Sequence, residues 1–293
     1  MKVAIYGQSF QEENKPHLIA LLEELKEANA SVYLEIGFDQ LVAQHISDFD
    51  YTTFSQDAGL DSSFDLFISF GGDGTMLRAV TYVKDLGIPI VGVNTGRLGF
   101  LSTFKKEEVR KVVTEFTAGN YKIEERSLVE VELNSDLEEI GELNFALNEI
   151  TVSRKDTTSM ITVDTYLNDE FLTSYWADGL IVSTPTGSTG YSLSCGGPVM
   201  EPSAKSLVLT PIAPHNLNAR PLVISDDTQI RLKVSGREET HLVSLDSRIA
   251  HIPNGKEIRI RKSKFTIKMI EYKSESFLKT LRNKLLWGQD KRN

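Results

Sequence analysis

A single cysteine, Cys195, stands in this chain of 293 residues, so an internal disulfide is excluded and a reducing compartment fits. Basic charge is also short. Lys and Arg number 32 against 41 Asp and Glu, a net charge of −9. A general nucleic-acid binder would show the opposite balance, although local charge still allows an anionic small ligand. No stretch approaches the ~20 apolar residues of a membrane span. The opening MKVAIYG reads directly as a strand, without a signal-peptide core ahead of a cleavage site. The expectation is a soluble cytoplasmic protein with no nucleic acid and no membrane among its partners. The five histidines form no H-x-x-x-H pair and no Cys–His cluster, which argues against structural zinc. Two phosphate-binding patterns are missing as well. There is no G-x-x-x-x-G-K-[ST], and Gly72-Asp73-Gly74-Thr75-Met76-Leu77 ends in leucine where G-x-G-x-x-G needs glycine. Internal repeats and low-complexity tracts are absent.

What is present centres on Phe64 to Arg78, FDLFISFGGDGTMLR. An apolar run of strand type ends in a glycine turn, and a helical pattern follows. Glycines let the backbone bend tightly and approach a ligand closely. A helix start offers unpaired N–H groups and a positive dipole end, which suit phosphate. The acid among the glycines is out of place in a pure phosphate cradle. It points to a metal contact, a hydroxyl partner or a general base.

In chain order, Val3 to Tyr6 is a buried-strand candidate, and Pro16 opens a helix through about Ala28 on Leu18, Leu21, Leu22 and Leu25. Val32 to Leu34 reads as a strand, Gln40 to Ile46 as a short helix, and 47–62 as polar turns. Ile88 to Val93 is another strand, followed by Asn94-Thr95-Gly96-Arg97-Leu98-Gly99-Phe100-Leu101. That segment is either an ordinary loop or a ligand site at the carboxyl end of a parallel strand. Lys105 to Ala118 looks helical. Strand–helix alternation up to this point predicts an α/β domain with a mostly parallel sheet.

The character changes near residue 120. Ser127 to Leu133 alternates strictly, and short strand-like runs recur at 150–152, 161–163, 207–209, 230–234, 258–260 and 265–270. They predict an all-β, sandwich-like second domain. The acidic 134–142 reads as a solvated hairpin tip. Phe277, Leu281 and Leu285 mark a last amphipathic helix that packs back on the first domain. The expected division is 1–120 with 275–293 returning to it, and 121–274.

Four further stretches carry polar chemistry. Asn148-Glu149 interrupts an apolar strand pattern. It is either a solvated edge strand or an amide and a carboxylate that grip ribose hydroxyls. Asp178 to Pro198, DGLIVSTPTGSTGYSLSCGGP, runs from a strand into a turn dense in hydroxyls and glycine. Such a turn is commonly a linker, but its apolar flanks, Tyr191 and Leu193 favour an ordered site for phosphate or ribose. Cys195 reads as a space-filler. Pro211 to Pro221 is a proline-rich loop, and Leu245-Asp246-Ser247-Arg248 ends a strand-like run.

Together FGGDGTMLR, NTGRLGFL, LNE, DGLIVSTPTGSTGYSLSCGGP, the P-x-A-P-H-x-L-x-A-R-P-L run, LDSR and the closing LRNKLLWG resemble the NAD kinase family, from about residue 64 to 288. The resemblance implies phosphoryl transfer from ATP to the 2′-hydroxyl of the adenosine ribose of NAD, with magnesium or another divalent metal accompanying the ATP. It implies Asp73 as the general base that also touches NAD. Gly71, Gly72, Gly74, Thr75, Arg78 and Asn94 fall at positions for the phosphate donor, and Gly74 contacts NAD as well. Asn148 and Glu149 would hold ribose, and Asp178 the nicotinamide end. Thr186, Thr189, Gly190, Tyr191, Ser192, Leu193 and Ser194 would wrap the adenine side. Ser159, Trp176, Ala213 and Arg248 fall at other pocket positions. A homodimer or homotetramer is implied too. The sequence departs from the family's common pattern at Trp176, where Arg is frequent, at Gly190, where Ala is frequent, and at Arg248, where Gln is frequent.

Overall fold

Parallel pairing organises the first part of the chain. The computed structural model describes every residue except 97–98, 103, 134–140, 156–158, 274–275 and 287–293. Arg97, Leu98, most of the acidic 134–142 and the Trp-Gly of LRNKLLWG therefore lie outside the described residues. The chain divides into two units: Met1–Glu125 together with the segment from Ile267 onward, and Arg126–Thr266.

In the first unit the strand order is Thr52–Phe54, Ser31–Glu35, Lys2–Tyr6, Leu66–Phe70 and Ile90–Asn94, each parallel to its neighbour. The short strand Phe104–Lys105 and the far end of Glu257–Tyr272 also pair with Ile90–Asn94 in parallel. Leu66–Phe70 and Ile90–Asn94 are buried along their whole length, as strands covered on both faces must be. Helix Lys15–Glu27 buries the predicted leucines Leu18, Leu21, Leu22 and Leu25. Helix Val109–Thr117 follows a single 3₁₀ turn, so it starts later than Lys105.

The helix expected at Gln40 to Ile46 instead spans Ile36–Val42 and continues as a 3₁₀ turn. The Glu35 carboxylate fixes its start by accepting the N–H of Phe38 at 2.9 Å. Within the supposed turn region 47–62, Thr52–Phe54 forms an edge strand too short to show a period. The last helix, Phe277–Leu285, buries Leu281 and belongs to this unit. Tyr272 is buried nearby in sequence and donates its hydroxyl to the Val112 carbonyl at 2.5 Å. Tyr272→Phe removes that bond without opening a large cavity. It is expected to cost about 1 kcal/mol of unfolding free energy in a urea titration.

The second unit is antiparallel. One sheet runs Leu222–Ser225, Ser206–Ile212, Gly179–Ser183, Glu149–Ser153, Thr240–Leu245, Arg248–Pro253. A second set runs Glu170–Ala177, Ile161–Leu167, Ile230–Ser235 and the first part of Glu257–Tyr272. Val152, Leu180, Val182 and Val243 from the first share one core with Val163, Tyr175, Leu232 and Ile258 from the second, so the unit is a β-sandwich. The runs 258–260 and 265–270, expected as separate strands, form one strand, because Arg261 to Lys264 continue the extended backbone between them.

Candidate active site

In the first unit, the buried strand Leu66–Phe70 delivers the chain to Gly71. A Cβ there would stand 2.2 Å from Oγ1 of the buried Thr75, so only glycine fits. Gly72 caps helix Asp73–Val83 and leaves Asp73 as its first residue, with a carboxylate at the favourable end of the dipole. Beside Gly72 and Gly74 there is open space. The half-buried Asp73 carboxylate is held by three consecutive backbone donors. Phe100 N–H reaches Oδ2 at 2.8 Å, while Leu101 and Ser102 N–H reach Oδ1 at 3.1 and 2.9 Å. Gly99 closes the arrangement, since a Cβ on it would fall 1.7 Å from Asp73 Oδ1. The Asn94-to-Leu101 segment is therefore more than a connection. Asn94 is buried and organises it, accepting Gly96 N–H at 2.8 Å and donating to the Ser102 carbonyl at 3.4 Å. Ser69 and Ser102 keep buried hydroxyls without a hydrogen-bond partner. Arg78 is exposed further along the helix, where its charge acts on Tyr6 and Tyr82.

In the second unit, Glu149–Ser153 lies between Gly179–Ser183 and Thr240–Leu245. Asn148-Glu149 is thus at the start of an interior strand, and the solvated-edge alternative fails. The linker alternative for the Ser/Gly-rich segment fails too. Thr186–Thr189 forms a 3₁₀ turn and Tyr191–Ser194 a short helix, with Thr186, Gly187, Ser188 and Ser192 buried. Gly187 is forced by backbone, because a Cβ would lie 2.2 Å from the Asn148 carbonyl oxygen. A Cβ on Gly190 would lie 3.3 Å from Glu149 Oε2 and 3.4 Å from Asn148 Nδ2, so this turn and the Asn-Glu pair adjoin. Ser192 and Thr210 hydroxyls bond at 2.8 Å and anchor the short helix.

Three buried polar atoms here have no partner within the chain: Asn148 Oδ1, Glu149 Oε2 and Thr186 Oγ1. Such groups are costly unless something satisfies them. Burial, reinforced by the Asp246 carboxylate, pushes the Glu149 carboxyl up to about 8. Burial raises the half-exposed Tyr191 hydroxyl, with Cys195, Asp178 and Glu149 adding to it. Burial likewise raises the Cys195 thiol, which keeps it a poor nucleophile.

The remaining residues have mixed roles. Asp178 pairs with Arg154 at 2.9 Å. Trp176 is exposed and packs against His215, ring centroids 4.3 Å apart. The Trp176 backbone N–H donates to Asn216 Oδ1 at 2.7 Å. Ala213 is exposed in the left-handed region at φ +43°. The Arg248 guanidinium donates to the carbonyls of Leu143 and Phe145. Thr189, Leu193, Ser194 and Ser159 are half-buried or exposed around these segments.

Sequence reasoning missed Gly99 and Asp246. Asp246-Ser247 is the turn of the hairpin joining Thr240–Leu245 to Arg248–Pro253. Its carboxylate accepts the N–H groups of Leu147, Asn148 and Glu149 at 2.9, 2.9 and 3.2 Å. Alternating apolar residues on both sides of an Asp-Ser pair were the available hairpin signal.

Among the described residues no group of three or more His, Cys, Asp or Glu gathers that could hold a metal ion. None of their helices is long and apolar enough to cross a membrane.

Family models for the ATP-NAD kinase N-terminal and C-terminal domains match residues 4–121 and 147–272. The chain belongs to the NAD kinase family. A relative named NAD kinase from Flavobacterium psychrophilum is 57% identical over 100% of both chains. Another of that name from Porphyromonas gingivalis is 42% identical over 98% of each. Among solved structures, an NAD kinase from Archaeoglobus fulgidus in complex with ATP has TM-score 0.77 at 28% identity, covering 98% of this chain and 99% of its own. A yeast NADH kinase complexed with NADH reaches TM-score 0.85 at 24% identity, covering 99% and 89%, and speaks to the NAD kinase fold alone.

Proposed function

We propose that this chain phosphorylates the 2′-hydroxyl of the adenosine ribose of NAD with ATP, giving NADP, and that Asp73 is the general base. The observation that carries the reading is the set of orphaned buried atoms, Asn148 Oδ1, Glu149 Oε2 and Thr186 Oγ1, on the Asn-Glu pair and on the hydroxyl-rich turn whose Gly190 adjoins that pair. A hydroxyl-rich ligand such as a nucleoside satisfies them, and the aromatic face of Tyr191 offers a surface for a base.

A ribose hydroxyl is a poor nucleophile at neutral pH. A carboxylate already oriented by fixed donors can take its proton as the bond to phosphorus forms. Oδ1 already accepts two of the three N–H bonds and Oδ2 one, so the acceptor position left for that proton is on Oδ2. Gly72 and Gly74, open on the ligand side, let phosphate approach the helix N-terminus. Thr75 and Asn94 are buried beneath, so their part is to hold the turn on which phosphate sits. A divalent metal enters with ATP. Magnesium characteristically keeps waters and phosphate oxygens as ligands, which fits a chain offering few carboxylates of its own there. It would neutralise charge on the transferring group. The enzyme works in the cytoplasm as a homodimer or homotetramer on this reading.

The test is direct. Purified chain with ATP, magnesium and NAD should give NADP, followed by an NADP-specific dehydrogenase. No NADP with ATP or another phosphate donor sinks the reading.

A further inference from the structure

Asp246 has no assigned role, yet its carboxylate accepts the backbone N–H of both members of the Asn-Glu pair. It is half-buried in a hairpin turn at φ +53°, a conformation Asp tolerates better than most residues. Its backbone N–H donates to the Glu149 carbonyl at 3.0 Å. In return its carboxylate collects the N–H groups of Leu147, Asn148 and Glu149. Two half-buried acids thus become neighbours, with the Asp246 carboxylate seated on the backbone N–H of Glu149 and its charge acting on the Glu149 carboxyl. Burial raises the carboxyl of Asp246 as well as that of Glu149, but Asp246 has three N–H bonds and the Arg248 cation to favour its charged form, whereas Glu149 Oε2 has no donor at all, so Asp246 is the better home for the one charge. Like charges at short range do not both ionise.

We propose that Asp246 is a positioning residue that fixes the Asn148-Glu149 pair through its three N–H bonds and keeps Glu149 in its neutral, proton-bearing form, so that Glu149 meets the ligand as a hydrogen-bond donor. This rests on the reading that the pair faces the ribose of NAD. A vicinal diol then finds complementary partners. Asn148 Oδ1 accepts from a hydroxyl, and the Glu149 carboxyl donates to one. An ionised Glu149 could only accept, and would add a second anion beside Asp246. Burial and the Asp246 charge both push Glu149 towards neutrality, and the other titratable groups facing it are Tyr191 and Cys195.

The test is NAD affinity against pH, measured by equilibrium binding without ATP. Wild-type affinity should be flat near neutrality and fall above about pH 8, by up to about tenfold per pH unit. Glu149→Gln keeps a donor that cannot ionise, so its profile loses the alkaline limb. Glu149→Ala should bind weakly at every pH. In Asp246→Asn the limb moves to lower pH, because the repelling charge is gone, and the KM for NAD rises more than kcat falls. Cys195→Ala and Tyr191→Phe should leave the limb in place.

Stability gives an independent readout. The folded pKa of Glu149 lies above its ordinary value of 4.5, so its contribution is fully present below that value and is lost as pH rises towards about 8. Glu149→Gln should therefore melt higher than wild type at alkaline pH and show no such gain in acid. A flat wild-type profile, or a limb that survives Glu149→Gln, overturns the proposal. A limb unmoved in folded Asp246→Asn overturns the part given to Asp246. If Asp246→Asn does not fold, the Glu149→Gln profile and melting curve still decide the protonation state. Failure of wild type to make NADP would instead overturn the functional reading.

Discussion

Asp73→Asn is expected to lower kcat by about 10²–10⁴, the usual worth of a general base, while leaving the KM for NAD within a few-fold. The substitution is nearly isosteric, so the glycine turn should persist. Two things are lost together. The amide cannot accept a proton from the ribose hydroxyl. It also turns an NH₂ group towards some of the three N–H donors that the carboxylate satisfied at Phe100, Leu101 and Ser102. Donor facing donor is repulsive, so the segment that follows Gly99 should loosen as well. Steady-state kinetics with NAD and ATP varied separately will separate the effects, because a fall confined to kcat reports an interaction made only in the transition state. Circular dichroism and a melting curve check that the variant is folded. Full activity in a folded Asp73→Asn would remove the residue from the chemistry.

Gly99→Ala is the second large effect. One added carbon would lie 1.7 Å from Asp73 Oδ1 and 2.2 Å from its Cγ. The carboxylate cannot give way without breaking its N–H bonds, and the loop cannot give way without carrying those donors off. Either outcome displaces the base by about an ångström, and displacement on that scale can cost about 10²-fold. Stability should change little, because the carboxylate is only half-buried. The control is Gly74→Ala, where a Cβ meets nothing within 4 Å. That variant should fold at least as well as wild type, since alanine is the better helix former. Equal activity in Gly99→Ala and wild type would contradict the geometry around Asp73.

The sequence was most informative where one short stretch carries its own physics. A fully apolar run before glycines is a buried parallel strand, and leucines at helical spacing are a buried helix face. The glycine turn with its acid and the hydroxyl-dense segment were both visible, because each concentrates unusual residue types within a few positions. The strand Thr52–Phe54 was not, since three residues show no period. The start of helix Ile36–Val42 hid behind a glutamate cap, a less common capping residue than Ser, Thr, Asp or Asn. Gly99 and Asp246 were invisible for a different reason. Gly99 is determined by a carboxylate 26 positions away, and Asp246 by N–H groups nearly a hundred positions away. Backbone donors leave no mark on residue type, so the hairpin signal around Asp246 announces a turn but not the clasp it makes. Arg248 was conspicuous in its motif, yet its guanidinium is engaged by carbonyl groups of Leu143 and Phe145.

The two carboxylates share one construction: Asp73 over Phe100 to Ser102, and Asp246 over Leu147 to Glu149. Every donor in both clasps is main chain. Side-chain replacement at Phe100, Leu101 or Leu147 therefore leaves the donors in existence, and only proline or a change in loop length deletes one. The consequence is a lopsided mutational tolerance. Drift can rewrite the surfaces of both loops while their grip survives, and the whole requirement for identity falls on the two aspartates and on the glycine that gives one of them room.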